Sequence, residues 1–223
     1  MNIPLSTCAR VLLLGSFLTG TTAFGTVVYD NTVNYLNLSY SAGNGVEFGD
    51  EIFLAGGPGQ TITQFEFDTF VGANANGNES VTIRFLLNDG TPLGPNRVQP
   101  STSLYTSSSI SLPLGFATTT LSSLAVTLPA GVNNFTWTAE FNGIDAGEQV
   151  GLLFYHPPVI GDSYTDIWKK QGSTWDTFLF NGINASFGAR IQTPEAGSSA
   201  ALFSLALAPL LCGSRRWLRS LRA

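Results

Sequence analysis

The side chains in this sequence that are best placed for chemistry are carboxylates in short loops. Asp145 and Glu148 lie in the turn-rich run 142–148, and calcium binds to clusters of carboxylate and carbonyl oxygens in such loops. The run lacks the spaced Asp-x-Asp-x-Asp-Gly pattern of a dedicated calcium loop. The pattern favours solvated turn acids that keep the domain soluble, with calcium at Asp145 and Glu148 as the alternative. No other cofactor is expected.

Hydrolytic chemistry has few candidate residues. A Ser-His-Asp triad needs a histidine to carry the proton, and His156, the only histidine, stands directly before Pro157 and Pro158. No serine lies in a Gly-x-Ser-x-Gly nucleophile elbow. Two carboxylates facing each other across a groove stay open as a glycosidase arrangement, although no motif marks such a pair. We therefore expect a protein that is not an enzyme.

Aromatic residues in the last third of the chain suggest another kind of site. Tyr155, Tyr164, Trp168 and Trp175 cluster there and suggest a sugar-binding platform, because flat aromatic rings stack on the apolar faces of sugars. The candidate residues of the platform are Tyr164, Trp168 and Trp175. Core packing is the alternative, since large amphipathic rings commonly sit at the rim of a sheet for structural reasons. Exposure of the three rings on one face would decide between the two interpretations.

The elements that must position these residues are strands. Residues 26–192 are rich in Gly, Thr, Ser, Asn and aromatic residues, a composition that suits strands and turns. Runs that alternate with period two, separated by turn residues, predict about ten or eleven strands, with a loop over 41–49 and a short strand over 51–55. That number of strands predicts an all-β domain, an antiparallel and jelly-roll-like β-sandwich of two packed sheets.

The clearest strand covers 134–141, where polar and apolar residues alternate strictly. The apolar residues share one face and are expected to be buried against a partner sheet: Phe135, Trp137, Ala139 and Phe141. The polar residues share the other face and are expected to meet solvent: Thr136, Thr138 and Glu140.

The N-terminal residues 1–25 are typical of a secretory signal peptide. Arg10 is the only charge before Asp30, the run 11–18 is apolar, and Ala23-Phe24-Gly25 fits a small-x-small cleavage site. The only two cysteines, Cys8 and Cys212, lie outside 26–192. The domain itself therefore has no disulfide, thiolate nucleophile or zinc–thiolate site.

The C-terminal residues 193–223 form a tail with an apolar run and a basic end. Residues 196–214 carry no charge and would span roughly 28 Å as a helix at 1.5 Å per residue, close to the thickness of a bilayer core. A basic cluster follows, made of Arg215, Arg216, Arg219 and Arg222. Because arginines resist translocation, they would stop transfer and leave the domain facing outward.

This layout resembles the PEP-CTERM sorting signal of Gram-negative bacteria, in which a Pro-Glu-Pro motif precedes an apolar helix and arginines. Pro194 and Glu195 match the motif, and Ala196 stands in place of the second proline. Related signals use Pro-Asp-Ser-Gly at this place, so a sister sorting system is an alternative. The resemblance implies cleavage by an exosortase-like membrane protease and delivery to the cell surface or extracellular matrix. A plain membrane anchor that is never cut also fits the pattern.

The segment 134–191 resembles an ectodomain that recurs among exported bacterial proteins with such tails. The resemblance rests on Phe-Thr-Trp-Thr at 135–138, Gly-Glu-Gln-Val-Gly-Leu at 147–152, His-Pro-Pro-Val at 156–159 and Ala-Ser-Phe-Gly-Ala-Arg at 185–190. It implies a location and a sandwich fold but no reaction.

The charge distribution narrows the class of partner. Residues 26–195 hold five basic and all fifteen acidic side chains, a net charge of −10, which disfavours nucleic acid. We therefore expect an exported structural or adhesive component of the cell surface or matrix, with envelope or matrix polysaccharide as its partner. The alternatives are a cell-surface carbohydrate-binding module and an uncleaved, membrane-anchored β-domain.

Overall fold

The computed structural model describes residues 25–41, 43–94 and 97–195, which fold mainly as β-strands. Strands take up about 52% of the described residues and helix about 2%, and every strand pair is antiparallel. The all-β, antiparallel class is therefore confirmed. Within these residues no helix is long and apolar enough to cross a bilayer. The predicted signal peptide up to residue 24 and the predicted apolar helix lie outside the described residues.

Seventeen strands are described, more than the ten or eleven expected, because several predicted strands are broken into short segments. In chain order they are β1 (Thr26–Asp30), β2 (Tyr35–Ser41), β3 (Glu47–Phe53), β4 (Thr61–Ile62), β5 (Gln64–Val71), β6 (Ser80–Leu86), β7 (Ser103–Thr106), β8 (Ile110–Ser111), β9 (Gly115–Leu121), β10 (Val126–Thr127), β11 (Asn134–Asn142), β12 (Val150–Tyr155), β13 (Asp162–Ser163), β14 (Ile167–Gln171), β15 (Thr174–Phe178), β16 (Ser186–Phe187) and β17 (Ala189–Thr193).

The strands build two large sheets and one small one. The first sheet has the order β1-β17-β5-β12-β16, with β2 paired to β12 and β9 paired to β5. The second sheet has the order β15-β14-β3-β11-β6-β7, with β13 on β3 and β8 on β6. Strands β4 and β10 pair with each other. The last strand, β17, lies between β1 and β5 in the first sheet.

The hydrophobic core lies where the inner faces of the two sheets meet. The Phe65 ring of β5 lies 5.1 Å from the Trp137 ring of β11 and 5.0 Å from the Phe85 ring of β6, measured between centroids. Trp137 is fully buried. The prediction that β11 turns this ring inward is confirmed, and the ring contacts show that residues of both sheets share one core.

Strand β3 differs from the sequence prediction, which placed a loop over 41–49 and a strand only from residue 51. The strand begins at Glu47, and it buries three acidic side chains, Glu47, Asp50 and Glu51. Sequence alternation fails here because each carboxylate has a partner inside the fold. Glu47, for example, lies 3.0 Å from Arg84 and 2.9 Å from Lys170.

The polar face of β11 was also predicted wrongly. Thr136 and Thr138 are fully buried rather than exposed to solvent. The Thr138 hydroxyl donates a hydrogen bond to Glu47 (2.7 Å), and the Thr136 hydroxyl bonds to the Asn88 side chain (2.6 Å). Because β11 is a central strand flanked by β3 and β6, neighbouring side chains close over its outer face.

The outer face of the second sheet is covered in part by the segment 87–102, of which residues 95 and 96 are not described. Its Arg97 guanidinium lies 3.8 Å from the centre of the Tyr164 ring and 4.7 Å from that of Trp168. Arg97 also pairs with Asp166 at 2.6 Å and with Glu51 at 3.2 Å. The guanidinium therefore holds this segment against the sheet through both charge and ring contacts.

The first sheet divides at Gly188, the residue between β16 and β17. The Gly188 N–H donates to the carbonyl of Leu153 on β12 (3.0 Å), and its carbonyl accepts from the N–H of Asp68 on β5 (3.1 Å). Here the strand that pairs with β12 ends and the strand that pairs with β5 begins. This fork brings side chains of β5, β12 and β17 together on the outer face.

Candidate functional site

A cleft of about 370 Å³ opens on the outer face of the first sheet, beside the fork at Gly188. Its lining includes Asp68 of β5, Phe116 of β9, Tyr155 of β12 and Arg190 of β17. It combines carboxylate, hydroxyl, guanidinium and aromatic groups in one concave surface. Such convergent polar groups beside an aromatic wall are typical of a ligand site.

The floor of the cleft is built around Asp68, which is 6% exposed. The hydroxyl of Thr118 on β9 donates to its Oδ1 at 2.6 Å. Burial raises the pKa of Tyr155 far above its ordinary value, and the hydrogen bond to Asp68 and the charge of Asp68 raise this pKa further. The Tyr155 hydroxyl therefore stays protonated beside the carboxylate.

Gly188 makes room for this arrangement. A Cβ at Gly188 would lie 2.5 Å from Cε2 of the Tyr155 ring, closer than side chains approach in folded proteins, and 3.0 Å from Oδ2 of Asp68, which is a tight contact. The glycine lets the ring lie directly on the backbone at the fork, so the position of the aromatic wall depends on the absence of a side chain there.

One side of the cleft is held by charge rather than by tight hydrogen bonds. Arg190 lies 3.8 Å from Glu66 and 3.7 Å from Asp30, distances too long for hydrogen bonds. Its Nε is buried without a hydrogen-bond partner among the described residues. Gln64 meanwhile donates to Glu66 at 2.6 Å. The guanidinium is therefore oriented by two carboxylates while it still has N–H groups to donate.

The rim of the cleft carries an exposed ring. Phe116 is 65% exposed, which is unusual for a phenylalanine in a strand. Its ring lies 5.0 Å from that of Phe70 and 6.4 Å from that of Tyr35, the latter edge to face. Tyr35 in turn lies 5.2 Å from Tyr155. The supported ring leaves one apolar surface open beside the polar floor.

This arrangement suits a neutral, hydroxyl-rich ligand. Asp68 and Glu66 supply acceptors, Arg190 supplies donors, and Phe116 supplies a flat apolar surface. Hydroxyl groups can both donate and accept hydrogen bonds, so one ligand molecule can satisfy groups of both kinds in the cleft. An anionic ligand would meet two carboxylates beside a single guanidinium, and these disfavour it.

The predicted sugar platform of Tyr164, Trp168 and Trp175 is not formed. Trp168 and Trp175 are buried, together with Leu86, in a small cluster on the second sheet, and Tyr164 is half-buried beneath Arg97. The rings are covered because Arg97 and Lys170 lie across them, with Lys170 Nζ 5.4 Å from the Trp175 ring. Trp168 and Trp175 therefore pack in a buried cluster, whereas Tyr164 lies under Arg97 at the surface of the sheet.

The predicted calcium residues, Asp145 and Glu148, lie on an exposed loop. Asp145 accepts a hydrogen bond from the Asn76 side chain (2.7 Å), and Glu148 accepts one from the Asp145 N–H (2.7 Å) and one from the Asn76 N–H (3.1 Å). The carboxylates join this loop to the turn around Asn76. Among the described residues no three His, Cys, Asp or Glu side chains form a group able to hold a metal ion.

Two of the three predicted sorting-motif residues are described. Pro194 and Glu195 follow the end of β17 directly and are both exposed. Ala196 and the basic cluster Arg215, Arg216, Arg219 and Arg222 lie outside the described residues. The predicted domain boundary at residue 192 falls one residue short of the end of β17 at Thr193.

No family model, curated protein or solved structure matches the chain. The cleft therefore has to be interpreted from its own geometry. Sequence analysis did not identify it, because its residues come from five separate segments of the chain. The available signals were Tyr155, which belongs to the aromatic cluster in the last third of the chain, and Phe116, an aromatic residue within a run of small and hydroxyl side chains.

Proposed function

We propose that this chain is an exported protein of the cell surface or extracellular matrix, with a jelly-roll-like β-sandwich domain in a structural or adhesive role. The exposed Pro194 and Glu195 directly after the last strand support this proposal. A protease that acts at this motif would have access to the chain without unfolding β17. Export through a signal peptide and handling by an exosortase-like protease are parts of the same proposal.

For the adhesive role we propose that the cleft at Asp68 and Tyr155 binds a neutral saccharide of the envelope or matrix. The observation that carries this step is the exposed Phe116 ring beside buried, oriented polar groups. The same observation favours the second candidate function, a cell-surface carbohydrate-binding module. The two differ in whether binding to polysaccharide is the main task or one part of a structural role. We propose no reaction and no cofactor.

The saccharide proposal is tested by binding of the exported protein to neutral polysaccharides, first on a glycan array and then by titration with the best ligand. Phe116→Ala should weaken binding about fivefold or more, because loss of a stacked ring costs roughly 1–3 kcal/mol, the range for nucleic-acid bases stacked on aromatic side chains. Leu114→Ala is the matched control, since Leu114 is also exposed but lies outside the cleft. Equal affinity of the two variants, or no binding by the unaltered protein, would contradict the assignment.

The sorting proposal is tested by mass spectrometry of protein recovered from the cell surface or matrix. Mature material should end near Pro194 and Glu195 and contain no peptide that includes Trp217. Recovery of Trp217 peptides from mature surface protein would instead support the uncleaved, membrane-anchored β-domain.

The remaining calcium alternative is tested by heat denaturation. Binding at the loop of Asp145 and Glu148 would raise the melting temperature in millimolar calcium relative to chelator, because a ligand of the folded state stabilises it. We expect the two melting curves to coincide, since hydrogen bonds within the protein already occupy these carboxylates.

A further inference from the structure

Strand β9 forms an open edge of the first sheet. Among the described residues it pairs along one side only, with β5 over all seven of its residues. An edge of this kind presents unpaired backbone N–H and C=O groups that can pair with another strand.

The hydrogen bonds of β5 show which groups of β9 face outward. The N–H groups of Asp68 and Gly72 bond away from β9, to Gly188 and Gln149. In an antiparallel pair both backbone groups of a residue point to the same neighbouring strand. The backbone groups of Glu66, Asp68 and Phe70 therefore do not bond to β9. Their partners on β9, which are Thr118, Phe116 and Thr120, therefore direct their backbone groups away from β5 and into the open.

Other edge strands of the described structure carry features that oppose pairing. In β2, Asn37 has a positive φ of 57° and interrupts the extended backbone. Strand β15 carries the charge of Asp176, and β7 has only four residues. Strand β9 has seven residues, with no charge, no proline and no positive φ after its first residue, Gly115. It is the edge with the fewest features that hinder the addition of a strand.

The chain segment that contains this edge strand is also free of charged side chains. No Asp, Glu, Lys, Arg or His occurs from Val98 to Ala139, a stretch of 42 residues, and β7, β8, β9 and β10 all belong to it. Residues 26–195 as a whole carry a net charge of −10. Two copies of so acidic a domain repel each other over most of their surfaces. A contact made through these strands avoids part of this repulsion, because residues 98–139 contribute no charged side chain to it.

We infer that two copies of this chain pair through β9, antiparallel and two-fold symmetric about Thr118. In this register Thr118 faces Thr118, and Phe116 faces Thr120 of the second copy. Each of these residues directs its backbone groups outward. In each of the three facing pairs the two residues therefore exchange two backbone hydrogen bonds. The strand is thus complementary to itself, as a symmetric contact between identical chains requires. This inference does not depend on saccharide binding.

The pairing is tested by disulfide trapping in the full chain, with Cys8→Ser and Cys212→Ser as background. Thr118→Cys places two thiols at facing positions, where the Cα separation of about 5.5 Å in a hydrogen-bonded pair allows a disulfide. Thr174→Cys is the matched control, because Thr174 is an exposed threonine in the edge strand β15. Under mild oxidation Thr118→Cys should give a linked dimer and Thr174→Cys should stay monomeric. Absence of the dimer, or equal yields from both variants, would overturn the inference.

A second pair of variants tests the backbone ladder itself. Thr120→Pro removes an outward N–H that β5 does not use, whereas Thr120→Val keeps it. In the Thr118→Cys background the proline variant should lose the linked dimer and the valine variant should retain it. Circular dichroism checks that each variant is folded; if the proline variant is not, the outcome of the cysteine pair alone decides. Unchanged trapping in a folded Thr120→Pro variant would show that β9 does not mediate the contact.

Discussion

Replacing Thr138 by valine tests whether the outer face of β11 is closed. The substitution keeps the shape of the side chain and removes the hydroxyl that donates to Glu47 at 2.7 Å, where both residues are buried. A hydrogen bond to a charged group contributes about 1.5–3 kcal/mol. Glu47 retains Arg84 at 3.0 Å and Lys170 at 2.9 Å, so the lower end of that range, about 1.5–2 kcal/mol, is expected.

Urea denaturation of Thr138→Val measures this cost. With a slope of about 2 kcal/mol/M, the midpoint should fall by about 0.8–1 M. The control is Thr120→Val on the exposed edge strand β9, which should change the free energy of unfolding by less than about 0.5 kcal/mol. Equal midpoints for the two variants would show that Thr138 makes no bond that matters and that this face is open to solvent.

The pH dependence of the same variant gives an independent check. Burial alone raises the pKa of Glu47, but hydrogen bonds from Lys170 and Thr138 and the charges of Arg84 and Lys170 lower it below its ordinary value overall. A carboxylate with a lowered pKa stabilises the fold above its unfolded pKa, and this contribution is lost as the pH falls through the folded pKa. The difference between Thr138→Val and the unaltered protein should therefore be full near pH 7 and shrink in acid. A difference that stays constant would mean that Glu47 is not involved.

Three further substitutions probe the core and the fork. Trp137→Ala removes a fully buried ring and should lower the free energy of unfolding by about 3–5 kcal/mol in chemical denaturation; a loss under about 1 kcal/mol would contradict the inward orientation of β11. Gly188→Ala forces a methyl group against Tyr155. It should lower the free energy of unfolding by about 1–3 kcal/mol and weaken saccharide binding. Unchanged binding would show that the fork does not shape the site. Asp50→Asn removes a carboxyl whose pKa is raised mainly by burial, against the N–H of Phe187, which lowers it. The unaltered protein should lose stability relative to this variant as the pH rises above about 4, the unfolded pKa of Asp. If the free energies of unfolding of the two proteins changed with pH in parallel, the pKa of Asp50 would not be raised.

The sequence predicted the fold class because most strands of the core show their period directly. Trp137 and its alternating apolar neighbours identify β11 without any structural information. The prediction failed at Glu47, Thr136 and Thr138, because polar side chains are buried here in two neighbouring strands, β3 and β11. Alternation reports the chemical type of a side chain, whereas the ion pairs that make such burial tolerable join residues far apart in the chain, such as Glu47 and Lys170.

The candidate cleft could not be predicted for a related reason. Asp68, Phe116, Tyr155 and Arg190 meet only through the pairing of β5 with β9 and the fork at Gly188, and a single sequence does not specify which strands pair. The aromatic residues that sequence analysis proposed, Tyr164, Trp168 and Trp175, cluster in the last third of the chain. Arg97, which is far away in the sequence, lies over Tyr164 and Trp168, and Lys170, the strand partner of Trp175, lies over Trp175.

The position of β17 determines how the domain responds to a mechanical load. Thr193 pairs with Thr26 of β1, Gln192 pairs with Gln64 of β5, and Arg190, which lines the cleft, lies only four residues before the exposed Pro194. A pull on the chain beyond Pro194 runs along this strand, while hydrogen bonds at right angles to it hold it on both sides. Such a pull shears both ladders at once instead of opening them one bond at a time. A domain tethered by this end and held at the cleft would therefore carry tension through a single short strand, clamped between two others.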